Sequence, residues 1–431
     1  MDKVRLQLAL DFVELKRALG VAELAVPAGI DIVEAGTPLV KSEGLDAVRA
    51  LRKAFPDKTI LADLKTADAG RIEMECAAKA GADMAICLGA CTESTIRESI
   101  DAGRNYGIQV GVDLLGVEDA VALARKCEAW GAAFINVHLP IDDQMRGIQS
   151  FDTLREVARA VGIPVAAAGG INSETVVEAV EAGARIVVVG GAITKAADPA
   201  RATADIRKAA DTRARIPTEL FRRAGEQNIR DVLRRVSTAN ISDGAHRLPS
   251  LAGIHSLWPG ARMCGPAVTV RTAPGDYAKP VEAIDGAAEG SVIVVDAGGR
   301  PPAVWGELAT ESAKVRRLAG VVVDGAIRDT AEIRRLEFPA FARCVSSNAG
   351  EAKGFGEIGQ PIALCGQKVM PGDWIVGDDD GVLVLPRARA VEMANRGQDV
   401  LEAENRIREE IAKGRSSLAK VLDLLRWEKQ G

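Results

Sequence analysis

Asp63, Lys65 and Asp68 fall in the pattern D-x-K-x-x-D, directly after the apolar run of ILADLKTADAG, Ile60 to Gly70. A buried strand commonly ends in a polar turn, so one aspartate there would be ordinary. A carboxylate, an ammonium and a second carboxylate so close together can instead move protons and hold ions at one spot. Asp11, Glu34, Asp113 and His138, the only histidine of the first half, stand at the ends of other apolar runs. Such a ring of carboxylates repels itself unless a lysine and a divalent cation neutralise it. Glu34 and Asp63 lie on successive runs and offer two hard oxygen ligands. Further positions of a Mg²⁺ ion, or Mn²⁺ in its place, are left to water and substrate. The glycine pairs Gly169-Gly170 after AAA and Gly190-Gly191 after VVV let backbone N–H groups close round an anion, so phosphate is expected there.

The elements that must position these residues are legible as a repeat. Apolar runs start at Val4, Ile30, Thr59, Asp83, Ile108, Ala133, Ile163 and Arg185, each followed by a turn and an amphipathic stretch such as TVVEAVEAGA. Near-continuous apolar runs alternating with helices indicate parallel strands covered on both faces. About eight such units in the first half fit a (β/α)₈ barrel, whose strand ends face the site. The repeat stops between Asp198 and Pro217. We therefore expect a barrel over 1–212, a linking helix over 213–237 and a second α/β domain over 238–431. In that second domain WIVGDDDGVLVLP reads as a hairpin closed at Asp380-Gly381, and Ala388 to Glu428 as a charged helix. Because the eight units close on themselves, the halves are expected to work independently.

Composition excludes other classes. A net charge of -5 and 3% aromatic residues leave neither a basic face nor stacking platforms, so no nucleic-acid partner is expected. The seven cysteines form no C-x-x-C pair, and with three histidines in the chain Cys87 and Cys91 lack partners for a zinc site. Reduced thiols of a cytoplasmic protein are the expectation. No apolar run is long enough to cross a membrane, and MDKVRLQLALDFVEL has no signal-peptide cleavage site. GFGEIG, from Gly354, follows a polar loop and precedes Pro361, so it is not a dinucleotide turn.

LQLALD, VEAGTPL, ADLKTADAG, NVHLPIDDQMRG, AAAGGIN and VVVGGAIT together resemble the 3-hexulose-6-phosphate synthases of the orotidine-monophosphate-decarboxylase-like barrels, over Met1 to Ala210. The resemblance implies condensation of formaldehyde with ribulose 5-phosphate, or its reverse, through an enediolate and with Mg²⁺. It implies catalytic roles for Asp11, Lys65, Asp68 and His138, with Lys65 held by Asp11 and Asp68. Glu34 and Asp63 would hold metal; Asp113, Gly169, Gly170, Gly190 and Gly191 would bind the sugar phosphate. It also implies a barrel dimer, with Asp68 reaching the neighbouring subunit's site. The related 3-keto-gulonate-6-phosphate decarboxylases carry arginines where this chain has Ile141 and Gly191, which favours the aldolase over that alternative.

DAGGRPPAVWG, ELATESA and GVVVDGAIRD resemble the RraA-like family, from about Thr218 to the C-terminus. That family holds a ribonuclease regulator and metal-dependent pyruvate aldolases. The resemblance implies Asp329 as metal ligand, Arg328 as anion clamp, Glu307 as an acid beside them, and trimers through this domain. A purely assembling or regulatory role, even with an inert barrel, stays open.

Overall fold

Eight parallel segments close on themselves: β1 (Arg5–Leu10), β2 (Ile32–Ala35), β3 (Thr59–Thr66), β4 (Met84–Leu88), β5 (Gln109–Asp113), β6 (Phe134–His138), β7 (Val165–Ala168) and β8 (Ile186–Val189), with β8 back against β1. The computed structural model describes residues 3–148, 150–218, 223–414 and 416–422. The expected (β/α)₈ barrel is observed. One face of each strand packs under the outer helices, while Ala9, Ile32, Leu61, Met84, Phe134 and Ile186 fill the barrel interior. Phe134 can occupy the centre because β5 offers Gly111, where a Cβ would lie 2.1 Å from the Phe134 ring. This apolar plug is the floor of a cavity. Side chains in a strand alternate with period two. Two residues beyond Ala9, Ile32, Leu61 and Phe134, the cavity walls become Asp11, Glu34, Asp63 and Asn136.

The second half forms a mixed sheet. Strands Met263–Arg271, Val292–Asp296, Gly320–Ile327 and Ala340–Val345 run parallel, and the antiparallel hairpin Trp374–Asp378/Gly381–Leu385 extends one edge. That hairpin is the one expected from its Asp-Gly turn. Apolar clusters cover both faces of the sheet.

Two expectations change. A single linking helix over 213–237 does not form. The helix Pro199–Thr212 ends on Arg213 in the left-handed region, 213–218 has no regular structure, and among the described residues of 213–237 only Ile229–Arg235 is helical. Pro217 disfavours a helical residue before it, which explains the break; 219–222 lie outside the described residues. The second change concerns the C-terminus. The helix Ala390–Gly414 forms within the expected 388–428 stretch, of which 423–428 lie outside the described residues. Residues 402–414 and 416–422 cluster with the barrel unit, whereas Arg223–Leu401 and the short stretch Met145–Gly147 form the second unit. There, buried Asn395 donates to the Met145 carbonyl at 2.9 Å. The barrel unit is therefore not built from the first half alone.

Candidate active site

Lys65 sits at the centre of the barrel's polar end. Its Nζ donates to Asp113 Oδ2 at 2.9 Å and to the two Asp63 oxygens at 3.0 and 3.2 Å. Local backbone makes this reach possible. Between Ala62 and Thr66 the register of β3 against β4 shifts, and Lys65 takes a positive φ of 45°. Irregularities of this kind re-aim side chains at sites. The Thr37 hydroxyl donates to Asp63 Oδ2 at 2.8 Å, fixing that carboxylate from the opposite side. The expectation that Asp11 and Asp68 hold Lys65 is thus corrected: Asp63, on the same face of the strand, and Asp113, on β5, do so.

Asp113 itself is fully buried. It accepts from Lys65 and from the Leu115 N–H at 3.0 Å, and its Oδ2 lies 3.3 Å from His138 Nδ1. Expected on the sugar phosphate, it instead stands behind the lysine and the histidine and orients both. Burial alone would raise its pKa, but the His138 hydrogen bond and the Lys65 charge bring it down to about 2. Lys65 is correspondingly held well in its charged form: burial opposes the charge, and Asp63 with Asp113 outweighs it.

Glu34, on β2, is buried and receives the Gln7 amide at 2.6 Å. Its pKa is pushed well up, first by burial and then by the charges of Asp63 and Asp11. Asp11 is solvent-exposed at the cavity mouth yet ringed by protein, and desolvation followed by Asp63 raises its pKa too. Its carboxylate fits because the next turn has Gly36, where a Cβ would lie 2.3 Å from Asp11 Oδ1. The glycine pairs line the same cavity, of about 590 Å³, and a Cβ at Gly190 would lie 3.5 Å from Asp11 Oδ2. Gly169 and Gly170 take left-handed φ values of 96° and 69°, and a Cβ at Gly169 would meet the Leu139 carbonyl at 2.3 Å. Gly190 has a negative φ and leads into the short helix Gly191–Thr194.

Asp11, Glu34, Asp63, Lys65, His138 and the four glycines therefore line one cavity. Asp68 does not: it is exposed, and its carboxylate accepts from the neighbouring Ala69 N–H at 2.7 Å. Sequence reading missed Gln7, Thr37, Asn136, Gln144 and Lys195, which also line it. Gln7 and Asn136 were findable from alternation, since they precede Ala9-Asp11 and His138 on the same strand faces. The site also suits a hard divalent cation. Asp11, Glu34, Asp63 and Asp113 face the ammonium groups of Lys65 and Lys195, and the side-chain oxygens Gln7 Oε1 and Asn136 Oδ1 are buried without a hydrogen-bond partner. Among the described residues no group of three or more acidic, histidine or cysteine side chains forms a complete metal cage. A cation there would rest on two carboxylates and complete its shell with oxygens from outside the chain.

The second unit carries a smaller constellation. Asp329, at a φ of 57°, places Oδ2 3.1 Å from the Glu307 backbone N–H and 3.4 Å from Arg328 Nε. Gly306 permits this approach, since a Cβ there would lie 2.6 Å from Asp329 Oδ2. Arg328 and Asp329 are exposed, and Glu307 contributes a backbone donor to the pair. His246 and His255 are exposed elsewhere on this unit.

The seven cysteines are free thiols, and among the described residues no helix is long and apolar enough to cross a membrane. The family model of the orotidine 5'-phosphate decarboxylase / HUMPS family matches residues 4–206, and that of the RraA-like family (Aldolase/RraA) matches residues 238–384. The 3-hexulose-6-phosphate synthase of Mycobacterium gastri is 39% identical over 48% of this chain and 99% of its own length. That of Bacillus subtilis (strain 168) is 38% identical over 48% of this chain and 98% of its own. The solved structure of the RNA-processing inhibitor RraA from Thermus thermophilis is 32% identical, covering 35% of this chain and 92% of its own, with a TM-score of 0.33. This chain belongs to the orotidine 5'-phosphate decarboxylase / HUMPS family, close to the 3-hexulose-6-phosphate synthases, and carries an RraA-like domain behind its barrel.

Proposed function

We propose that the barrel joins formaldehyde to ribulose 5-phosphate to give 3-hexulose 6-phosphate, and can run the same step in reverse. The observation that carries this reading is Lys65, charged and fixed between Asp63 and Asp113 with His138 on the same aspartate. Such an arrangement serves a reaction in which negative charge grows on a sugar next to a proton in transit. Homology to aldehyde-lyases at close to 40% identity over their full length supports the same class.

In this mechanism the phosphate lies against the turns Gly169-Gly170 and Gly190-Gly191, with Lys195 beside them. A Mg²⁺ ion held by Glu34 and Asp63, or Mn²⁺ in its place, would polarise the sugar carbonyl. His138 takes the C1 proton, a role suited to imidazole near neutral pH. The Lys65 ammonium, already desolvated and oriented, stabilises the enediolate that results. The nucleophilic C1 then attacks formaldehyde; a carbon–carbon bond forms, and the former aldehyde oxygen takes up a proton. Asp11, with its raised pKa, stands at the mouth where that proton can be supplied. Asp68 is exposed outside the cavity, which supports a role towards the site of a second copy. Near Ile141, Asp142 also faces the cavity, an arrangement unsuited to the extra carboxylate of a keto-gulonate substrate.

For the RraA-like domain the Arg328–Asp329–Glu307 arrangement supports binding of a small carboxylate with a cation, as in a pyruvate aldolase or decarboxylase. An inert barrel serving only a ribonuclease regulator would have no use for this buried, acid-rich cluster around Lys65. Ribulose 5-phosphate and formaldehyde, assayed with and without EDTA, test the main reading. Consumption of formaldehyde that EDTA abolishes is expected; none in the presence of Mg²⁺ or Mn²⁺ would overturn it.

A further inference from the structure

The segment 402–414 clusters with the barrel unit, although it lies outside both stretches that the families match, 4–206 and 238–384. What this segment touches is specific. Arg406 Nη1 donates to the Thr194 carbonyl at 3.2 Å, and its guanidinium lies over the Phe12 ring, 5.5 Å from the centroid. Thr194 lines the cavity, in the turn that begins at Gly190; Phe12 directly follows Asp11. One helix turn on, Glu410 pairs with Arg406 at 3.2 Å and accepts both 3.1 Å bonds of an Arg17 nitrogen, on the helix Leu15–Ala25. The Arg406 and Arg17 side chains are 16% and 20% exposed and that of Glu410 36%, so the arginine ends of these contacts are the more desolvated.

Two neighbouring loops at the cavity mouth, after the paired strands β1 and β8, thus share one tie. A planar guanidinium suits it, with one nitrogen donating to a carbonyl, its charge beside a carboxylate, and a flat face over an aromatic ring. We propose that the C-terminal helical segment braces the synthase site, with Arg406 as a positioning residue for the loops that carry Asp11 and Gly190–Lys195. This rests on the synthase reading of the cavity. Arg406 touches no reacting group in this scheme. Its effect passes through where Asp11 and the phosphate-side turn are held. The barrel of this chain therefore depends on residues beyond its second domain, an addition to the barrel that the family model covers.

The test uses the full chain carrying Arg406→Ala, Arg406→Lys or Glu410→Gln. For Arg406→Ala we expect KM for ribulose 5-phosphate to rise about tenfold with kcat within about threefold, a displaced binding loop rather than lost chemistry. Arg406→Lys, which keeps a donor for Thr194, should recover part of that rise. KM and kcat both within about twofold of the parent would overturn the brace. Hydrogen exchange gives a reading that needs no turnover: in Arg406→Ala, residues 10–17 and 189–197 should exchange faster while β4 and β5 stay unchanged. Unchanged exchange in both segments refutes the brace even if the chain fixes no formaldehyde, in which case the synthase reading falls separately. Should Arg406→Ala fail to fold, Glu410→Gln decides by the same exchange pattern, since it removes the carboxylate that holds both arginines.

Discussion

Two cation–carboxylate pairs in this chain look alike in sequence and differ in kind. In the barrel, Lys65 sits between Asp63 and Asp113, whose side chains are 10% and 0% exposed. In the RraA-like domain, Arg328 faces Asp329 with the two side chains 44% and 36% exposed. The first pair is largely shielded from water, so its geometry is fixed before a ligand arrives and its field is less screened. The second is screened, and gains strength only when a ligand or another chain excludes water from it. Burial therefore decides which of the two pairs is held in place without a ligand. The difference can be broken by removing the cation from each.

Lys65→Met should have the largest effect of any change considered. It removes the positive charge beside the enediolate, and kcat should fall on the order of 10³-fold. It also leaves Asp63 and Asp113 buried without their cation, which costs about 3–5 kcal/mol and lowers Tm. The matched change Arg328→Leu should cost less than about 1 kcal/mol, because exposed pairs contribute little. Kinetics and thermal melts of both variants check this; equal stability losses would show that burial does not separate the sites.

Glu34→Gln separates stability from function within the barrel. Formaldehyde fixation should drop on the order of 10²-fold, because one hard ligand is lost. Stability in EDTA should move the other way. Burial and the charges of Asp63 and Asp11 raise the folded-state pKa of Glu34 above its unfolded value. The stability it contributes is therefore fully present below the ordinary carboxylate range and is lost as pH rises through the raised value. In EDTA the wild-type Tm should fall as pH rises above the ordinary carboxylate range, and the fall should be smaller in Glu34→Gln. Asp11, also raised, remains and keeps some of the slope. Asp113 runs oppositely: its folded value of about 2 lies below the unfolded one, so its contribution is present at neutral pH and lost as pH drops towards 2. Asp113→Asn should flatten that acid limb.

How much of this was legible in the sequence follows from the distance over which each feature is decided. The barrel was readable because its strands are apolar and regularly spaced, and the strand-end rule brought Asp11, Glu34, Asp63, Lys65 and His138 together without coordinates. The partner of Lys65 was not, since it depends on a register shift between Ala62 and Thr66 that no local residue announces. Asp113 sat at the right strand end, but only the packing of Lys65 and His138 against it shows that it faces them rather than substrate. The return of the chain at Glu402 was invisible for a similar reason. A charged helix reads the same whether it packs on its own domain or on a barrel some 200 residues earlier.

Substrate choice gives a smaller effect. Ile141 lines the cavity beside Asp142, and Gly191 opens the final turn, so a keto-gulonate carboxylate would meet no arginine at either place. Decarboxylation of 3-keto-gulonate 6-phosphate should run at least about tenfold slower than formaldehyde fixation, a difference of roughly 1.4 kcal/mol in the barrier. Comparable rates on the two substrates would turn the choice towards the decarboxylases.

The smallest expected effect is none, and it tests the comparison most directly. Asp329→Ala removes the carboxylate that caps the Glu307 N–H and faces Arg328. All three groups lie in the second unit, while the barrel cavity is lined wholly by residues of the first. If the exposed pair is a separate site, formaldehyde fixation in the full chain should stay within about twofold of the parent, since distant sites with no shared partner act additively. Any pyruvate-aldolase or oxaloacetate-decarboxylase activity should vanish. The point variant is the right instrument here. Cutting the chain near Pro217 would also remove 402–422 from the barrel, and with them Arg406 and its hold on Thr194 and Phe12. A truncated barrel that lost activity would therefore say nothing about Asp329. A severe loss of synthase turnover in Asp329→Ala, with the assembly intact by light scattering, would mean that the exposed pair reaches the buried one. Independence of the two chemistries would then be wrong, even though each site keeps its own residues.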